Sequence, residues 1–142
     1  VLAAPILLTL ALAPADAPMS PPDAAVSDAG ELQGEWEVVA AYFDLENKSR
    51  GYKGSRWRFA GRCVVHIDAS GWLLPPYLVH VDPSAEPPAT DTVMSYGLPA
   101  RGIYRRSGDV LIWADEWWSG CRPSSFEPAE GFVVWTLRRV KK

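Results

Sequence analysis

The sequence predicts an all-β fold, an eight-stranded antiparallel up-and-down barrel, on three observations. Short runs of alternating apolar and polar residues recur between turn signals, and beyond the N-terminal run no stretch shows a helical period. Eight such runs follow one another in simple succession, and a sheet that closes on itself removes exposed edges. The chain has 142 residues, 48% of them hydrophobic and seven of them Trp, which suits one domain with a packed core. A β-sandwich with Greek-key links is the alternative architecture.

The first run is Glu35 to Phe43, in which Trp36, Val38, Ala40 and Tyr42 are expected to share one face. After the loop DLENKSRGYKGS, Trp57 and Phe59 alternate with Arg56 and Arg58 in a second strand. A tight AGR connection leads into CVVHIDA, where Cys63, Val65 and Ile67 are expected to face the interior, opposite Val64, His66 and Asp68. A fourth strand covers Tyr77 to Val81, and a weak fifth lies around Thr92–Tyr96 after a proline-rich stretch. Gly102–Arg106 and Val110–Ala114 form a hairpin through Ser107-Gly108-Asp109. The long connection DEWWSGCRPSSFEPAEG then leads to the last strand, Phe132–Val140.

Residues 1–17, VLAAPILLTLALAPADA, read as the apolar core and Ala-x-Ala cleavage site of a secretory signal without its basic n-region. The run is too short for a membrane span, which needs about 20 residues. Residues 18–30, rich in Pro, Ala, Ser and Asp, read as a disordered linker, and the barrel domain spans 31–142. The expected location is therefore secreted or periplasmic, without membrane insertion after signal cleavage.

Gly34-x-Trp36 opens the first strand and Arg138-Arg139 closes the last. That arrangement resembles lipocalin-like (calycin) proteins. The resemblance implies that Trp36 plugs the closed end while Arg138 or Arg139 packs across it. With the W-x-F strand, DPS…P…TDT, GIYRRSGDVL, CRPSSF and the final LRRVKK, the chain resembles a small lipocalin-like domain family of planctomycete bacteria over essentially all of residues 32–142. That family has no assigned function, so the resemblance implies a fold and an exported setting.

If Trp36 marks the closed end, loops 44–54, 69–76, 97–101 and 115–131 gather at the open end. They carry Tyr52, Trp72, Trp117, Trp118 and Arg122, with Tyr77 close by and Tyr104 or Trp113 on the wall. Aromatic rings of this kind either grip a small, mainly apolar ligand or fold the last loop down and fill the barrel. In CRPSSF, Arg122 is expected to pair with an acidic neighbour or a ligand carboxylate, and Phe126 to anchor the loop. A second class of function is a protein-interaction module, a plugged barrel whose extended segment PMSPPDAAVSDAG enters a protease cleft.

Metal and nucleophilic chemistry have few candidate residues. His66 and Asp68 on one strand and His80 and Asp82 on another could meet across a hairpin and hold a metal, but as outward-facing residues they need no such role. No GxSxG, HExxH or phosphate loop is present, and the adjacent acids Asp115 and Glu116 read as solvated loop residues. The expectation is a non-enzyme without a cofactor. A net charge of −3 and a pI near 5.3 give no reason to expect a nucleic-acid partner. An exported setting favours a Cys63–Cys121 disulfide, whereas the barrel trace puts the two at opposite ends, about 20 Å apart for strands of this length, against the about 7 Å a bridge needs.

Overall fold

Two short turns set much of the register. Gly61 and Gly108 each have positive φ and open a two-residue hairpin loop, so that Ala60 pairs with Cys63 and Ser107 with Val110. The computed structural model describes residues 29–93 and 99–142. Within them lie nine strands: β1 (Gly34–Phe43), β2 (Glu46–Asn47), β3 (Arg56–Ala60), β4 (Cys63–Ile67), β5 (Tyr77–Asp82), β6 (Ala89–Val93), β7 (Pro99–Ser107), β8 (Val110–Glu116) and β9 (Phe132–Arg139). The only helical turns among the described residues are 3-10, at Ala29–Leu32 and Ser49–Tyr52.

β2 is a two-residue extension beside the end of β1. The other eight strands pair antiparallel in chain order, and β9 returns to β1, closing an up-and-down barrel of lipocalin-like layout. Closure between β1 and β9 runs over seven residue pairs, whereas β4 and β5 share only Cys63↔Leu78 and Val64↔Tyr77. The weakest seam of the wall is therefore β4–β5. The signal and linker readings for residues 1–28, and part of the expected fifth strand, lie outside the described residues. The described part of that strand is β6, Ala89–Val93.

The core runs down the barrel axis. Trp36, Leu111 and Leu137 are completely buried near the closed end, with Trp57, Trp113 and Trp135 above them. Trp36 donates from Nε1 to the Leu32 carbonyl, and the Arg139 guanidinium lies over its ring at 4.2 Å. Arg139 also donates to the carbonyls of Gln33 and Glu31, tying the segment before β1 across the base. Gly34 has a φ of 104°, and the Arg139 Nη1 lies beside the place where a Cβ would stand. Of the two candidate arginines, Arg139 holds the plug. Arg138 points outward and pairs with Glu37.

Two facing expectations are overturned. In β1 the register shifts between Val38 and Ala40, so Val39 forms a bulge. Trp36 and Val38 face inward as expected, but beyond the bulge Ala41 and Phe43 take the interior. Tyr42 packs instead in an outer apolar cluster. In β4 the two-residue turn pairs inward-facing Phe59 with Val64 and Trp57 with His66. Val64 and His66 therefore face inward, and Val65 sits opposite Arg58 on the outside.

Residues 118–131 fold down the outside of β6–β9. Ile103, Ala114 and Val134 point away from the axis yet are buried, with Phe126 packed against them and Arg105 over the Phe126 ring. Arg122 fastens this strap by donating to the carbonyls of Thr90 and Gly102 and to Asp91 Oδ1 at 2.9 Å. Cys63 and Cys121 are both free thiols.

Candidate functional site

Above the Trp layer the barrel is hollow. A cavity of about 190 Å³ opens at the end away from Trp36. Its wall is mostly aromatic, with Phe43, Trp57, Tyr77, Trp113, Trp117 and Trp135. Strand alternation places these rings on the inner face, and they brace one another edge to face. Trp135 meets Phe43 at 5.5 Å and Trp57 at 5.3 Å between centroids, and Phe43 meets Trp117 at 5.1 Å.

Polar groups stand on two sides of this wall. From β4, His66 stacks on Trp57 at 4.4 Å, and the Tyr77 hydroxyl lies 2.6 Å from its Nδ1 and 2.7 Å from its Nε2. Burial lowers the His66 pKa to about 4, so the imidazole is neutral in neutral solution. From β8, Asp115 accepts from Trp113 Nε1 at 2.8 Å through Oδ2, while its buried Oδ1 has no hydrogen-bond partner. Burial raises the Asp115 pKa to about 7, the Trp113 hydrogen bond opposes the rise, and the neighbouring Glu116 charge adds to it. Thr92 also lines the cavity, and its hydroxyl is likewise buried without a partner.

Glu116 behaves differently. Burial raises its pKa, but two hydrogen bonds to the Arg101 side chain and one from the Arg101 backbone N–H outweigh that and hold it below the usual carboxylate range. The expectation that Asp115 and Glu116 are solvated loop acids is therefore corrected. They end β8, and both reach the cavity wall.

The buried seat of Asp115 has a simple cause. β7 presents Ala100 and Gly102 between Thr92 and Thr90 of β6 and Asp115 of β8. A Cβ on Gly102 would stand 2.6 Å from the Ala114 carbonyl and 2.6 Å from Thr90 Oγ1, and would collide with Asp115 Oδ1. Only glycine leaves room for the carboxylate there.

Of the residues expected at the mouth, Tyr77, Trp113 and Trp117 line the cavity. Tyr104 is buried, stacked against Trp113 at 6.0 Å, and supports the wall from behind. Three others do not line it. Trp72 is 72% exposed on the turn after β4, Trp118 is 63% exposed and donates to Asp44, and Arg122 is engaged by the strap's anchor. Loop position alone puts their side chains at the mouth, and the strap and turn carry them away from it.

The four residues considered for metal do not converge. Asp68 accepts from Ser70 and Trp72 within its own turn, and Asp82 from Ser84. His80 pairs across the sheet with Asp91 on the outer face, while His66 stands inside. The β4–β5 register, Val64 with Tyr77, prevents His66 from meeting His80. Among the described residues no group of three or more His, Cys, Asp or Glu side chains is placed to hold an ion.

Sequence reasoning missed Phe43, Trp57, His66, Asp115 and Trp135 as lining residues. The two-residue AGR turn was the available signal for His66, because it makes the facing of β4 follow that of β3. Searches among protein families, curated proteins and solved structures find no match to this chain.

Proposed function

We propose that the chain is an exported, non-catalytic lipocalin-like protein that binds a small, mainly apolar ligand at the open end of its barrel. The aromatic cavity carries this reading. At about 190 Å³ it is larger than a cavity of about 150 Å³ that takes up benzene, and smaller than pockets for drug-sized ligands, which begin near 300 Å³. It suits a molecule built on one ring. The secretory pattern of residues 1–17 and the sequence resemblance to the planctomycete family support export.

A native mass spectrum of protein secreted from a bacterial host, compared with a denaturing one, tests the reading. A small adduct lost on denaturation is expected. A bare-chain mass, together with no shift of the melting temperature by any of a panel of single-ring compounds, would sink it.

The protein-interaction reading draws on one observation. Trp72, Leu73 and Leu74 are contiguous, uncharged and largely exposed at the open end. In that case truncation to Gly30 abolishes inhibition of a target protease if the N-terminal segment is the contact. Trp72→Ser weakens partner binding if the exposed turn is.

A further inference from the structure

The cavity is aromatic, but its charges are one-sided. Asp115 and Glu116 line it, and no Lys or Arg does among the described residues. His66, the one basic group in the wall, is kept neutral by burial. An anionic ligand such as a fatty acid or an aromatic carboxylate meets no cationic partner here and lies beside two carboxyl groups. Neutral or cationic ligands meet neither problem.

The polar side of the wall narrows the choice. Three buried oxygens there have no partner: Asp115 Oδ1 and Thr90 Oγ1, packed over Gly102, and Thr92 Oγ1. Of these residues Asp115 and Thr92 line the cavity. A buried acceptor left alone costs about 1–3 kcal/mol, so a ligand that donates to it gains more there than on an apolar wall. A hydroxyl has one proton to give, whereas an ammonium has three. The faces and edges of Trp57, Trp117 and Trp135 around the same space favour a positive charge further.

We propose that the cavity selects a small ring-bearing primary amine in its protonated form, the ammonium donating to Asp115 and Thr92 and the ring lying among Trp57, Trp117 and Trp135. This rests on the binding function proposed above and names the ligand class. His66 and Tyr77 reach the cavity from β4 and β5, and in the eight-strand ring β4 stands opposite β8. They form a second, neutral polar side that receives a ring substituent.

The amine brings its own proton, so Asp115 must be ionised to receive it. Around Asp115 stand Trp113 and Glu116 on β8, Arg101 and Gly102 on β7, Thr90 and Thr92 on β6 and Val133 on β9. His66 stands across the cavity, and Arg122 lies on the strap. Arg101 is engaged by Glu116 and Arg122 by Asp91, and neither lines the cavity. Asp115 is thus the group whose ionisation changes in the neutral range, with a pKa near 7. Amine binding weakens below it because a proton must first leave the carboxyl.

Calorimetric titration of residues 18–142 with 2-phenylethylamine, 2-phenylethanol and phenylacetate tests this, in the wild type and in Asp115→Asn. At about pH 8 the amine is expected to bind at least about tenfold more tightly than the alcohol, and phenylacetate most weakly. Lowering the pH to about 6 should weaken the amine about tenfold while leaving the alcohol unchanged. In Asp115→Asn the amine preference should vanish, and a melting temperature no lower than the wild type's shows that the variant is folded. An alcohol or acid that binds as tightly as the amine, or a preference that survives Asp115→Asn, overturns the proposal and leaves the binding function standing. If none of the three binds, the amine proposal falls, and the native mass spectrum with the panel of single-ring compounds decides whether the binding function falls with it.

Discussion

Replacing Asp115 by Asn should make the protein more stable at neutral and alkaline pH, and by an amount that depends on pH. The Asp115 carboxyl is pushed up from 3.8 to about 7 on folding. Between those values the unfolded chain has released the proton while the folded chain retains it. Stability therefore falls as pH rises from about 4 through 7 and levels off above. The interval is roughly three pH units at about 1.4 kcal/mol each, a ceiling near 4 kcal/mol. Relaxation and water in the cavity reduce it, and about 2 kcal/mol is a reasonable floor. Asn keeps the shape and can still accept from Trp113, but it has no charge to bury.

Urea denaturation of both proteins from about pH 5 to 9 isolates this effect. His66 acts with the opposite sign, because its folded pKa is lowered from 6.5 to about 4 and its stabilisation is lost as pH falls through that window. The two slopes oppose each other in the wild type below about pH 6.5, so the wild-type curve alone is uninformative there. Subtracting the variant removes the shared His66 contribution. The expected difference grows steadily in the variant's favour up to about pH 7 and is constant beyond. A difference that stays flat across the range would refute the burial argument, and with it the reason for placing a titrating acid in the cavity wall.

Other substitutions probe the wall, the base and the mouth. Gly102→Ala puts a methyl group against the Ala114 carbonyl and the Asp115 carboxylate, and should cost about 1–3 kcal/mol in the same denaturation assay. Arg139→Ala removes the guanidinium from the Trp36 ring and leaves two carbonyls without that donor. A loss of about 2–3 kcal/mol is expected, whereas Arg138→Ala should change stability by less than about 0.5 kcal/mol. Trp117→Ala should weaken binding of a single-ring ligand at least about tenfold by calorimetry. Trp72→Ser should leave that binding and the melting temperature unchanged, because Trp72 stands outside the cavity.

The eight barrel strands were legible because each run is short, alternating and bounded by turn residues. So was the plug, since Gly34, Trp36 and the terminal arginines occupy fixed ends of the first and last strands. The CRPSSF loop also followed from its residues. Arg122 paired with an acid, Asp91, and Phe126 found an apolar surface. Facing was harder. Val65 and Ile67 are as apolar as Val64, so composition favoured the wrong side of β4, although the turn length carried the answer. Asp115 was misjudged for a related reason. An acid next to another acid looks solvated, and only the pairing with Gly102 shows why it can be buried. Loop residues were the least legible. Trp117 and Trp118 are neighbours of the same type, yet one lines the cavity and the other bonds to Asp44 outside it.

The bulge at Val39 makes the facing of the first strand depend on a conformation rather than on a letter. Val39 itself is half exposed and unconstrained by the core, so many residues could stand there without harm. Drawing it into the ladder is another matter. Were Val39 paired as an ordinary strand residue, every residue from Ala40 to Phe43 would change sides, sending Phe43 out of the cavity and turning the Tyr42 hydroxyl inward. The strap on the outer face would lose Tyr42 at the same moment. Deleting Val39 removes the bulge and leaves Ala41 and Phe43 inside, opposite the same β9 partners. Lineages of this domain should therefore carry this strand either with the extra residue and its bulge or without both. The composition of the cavity is inherited through the conformation of a residue that does not touch it.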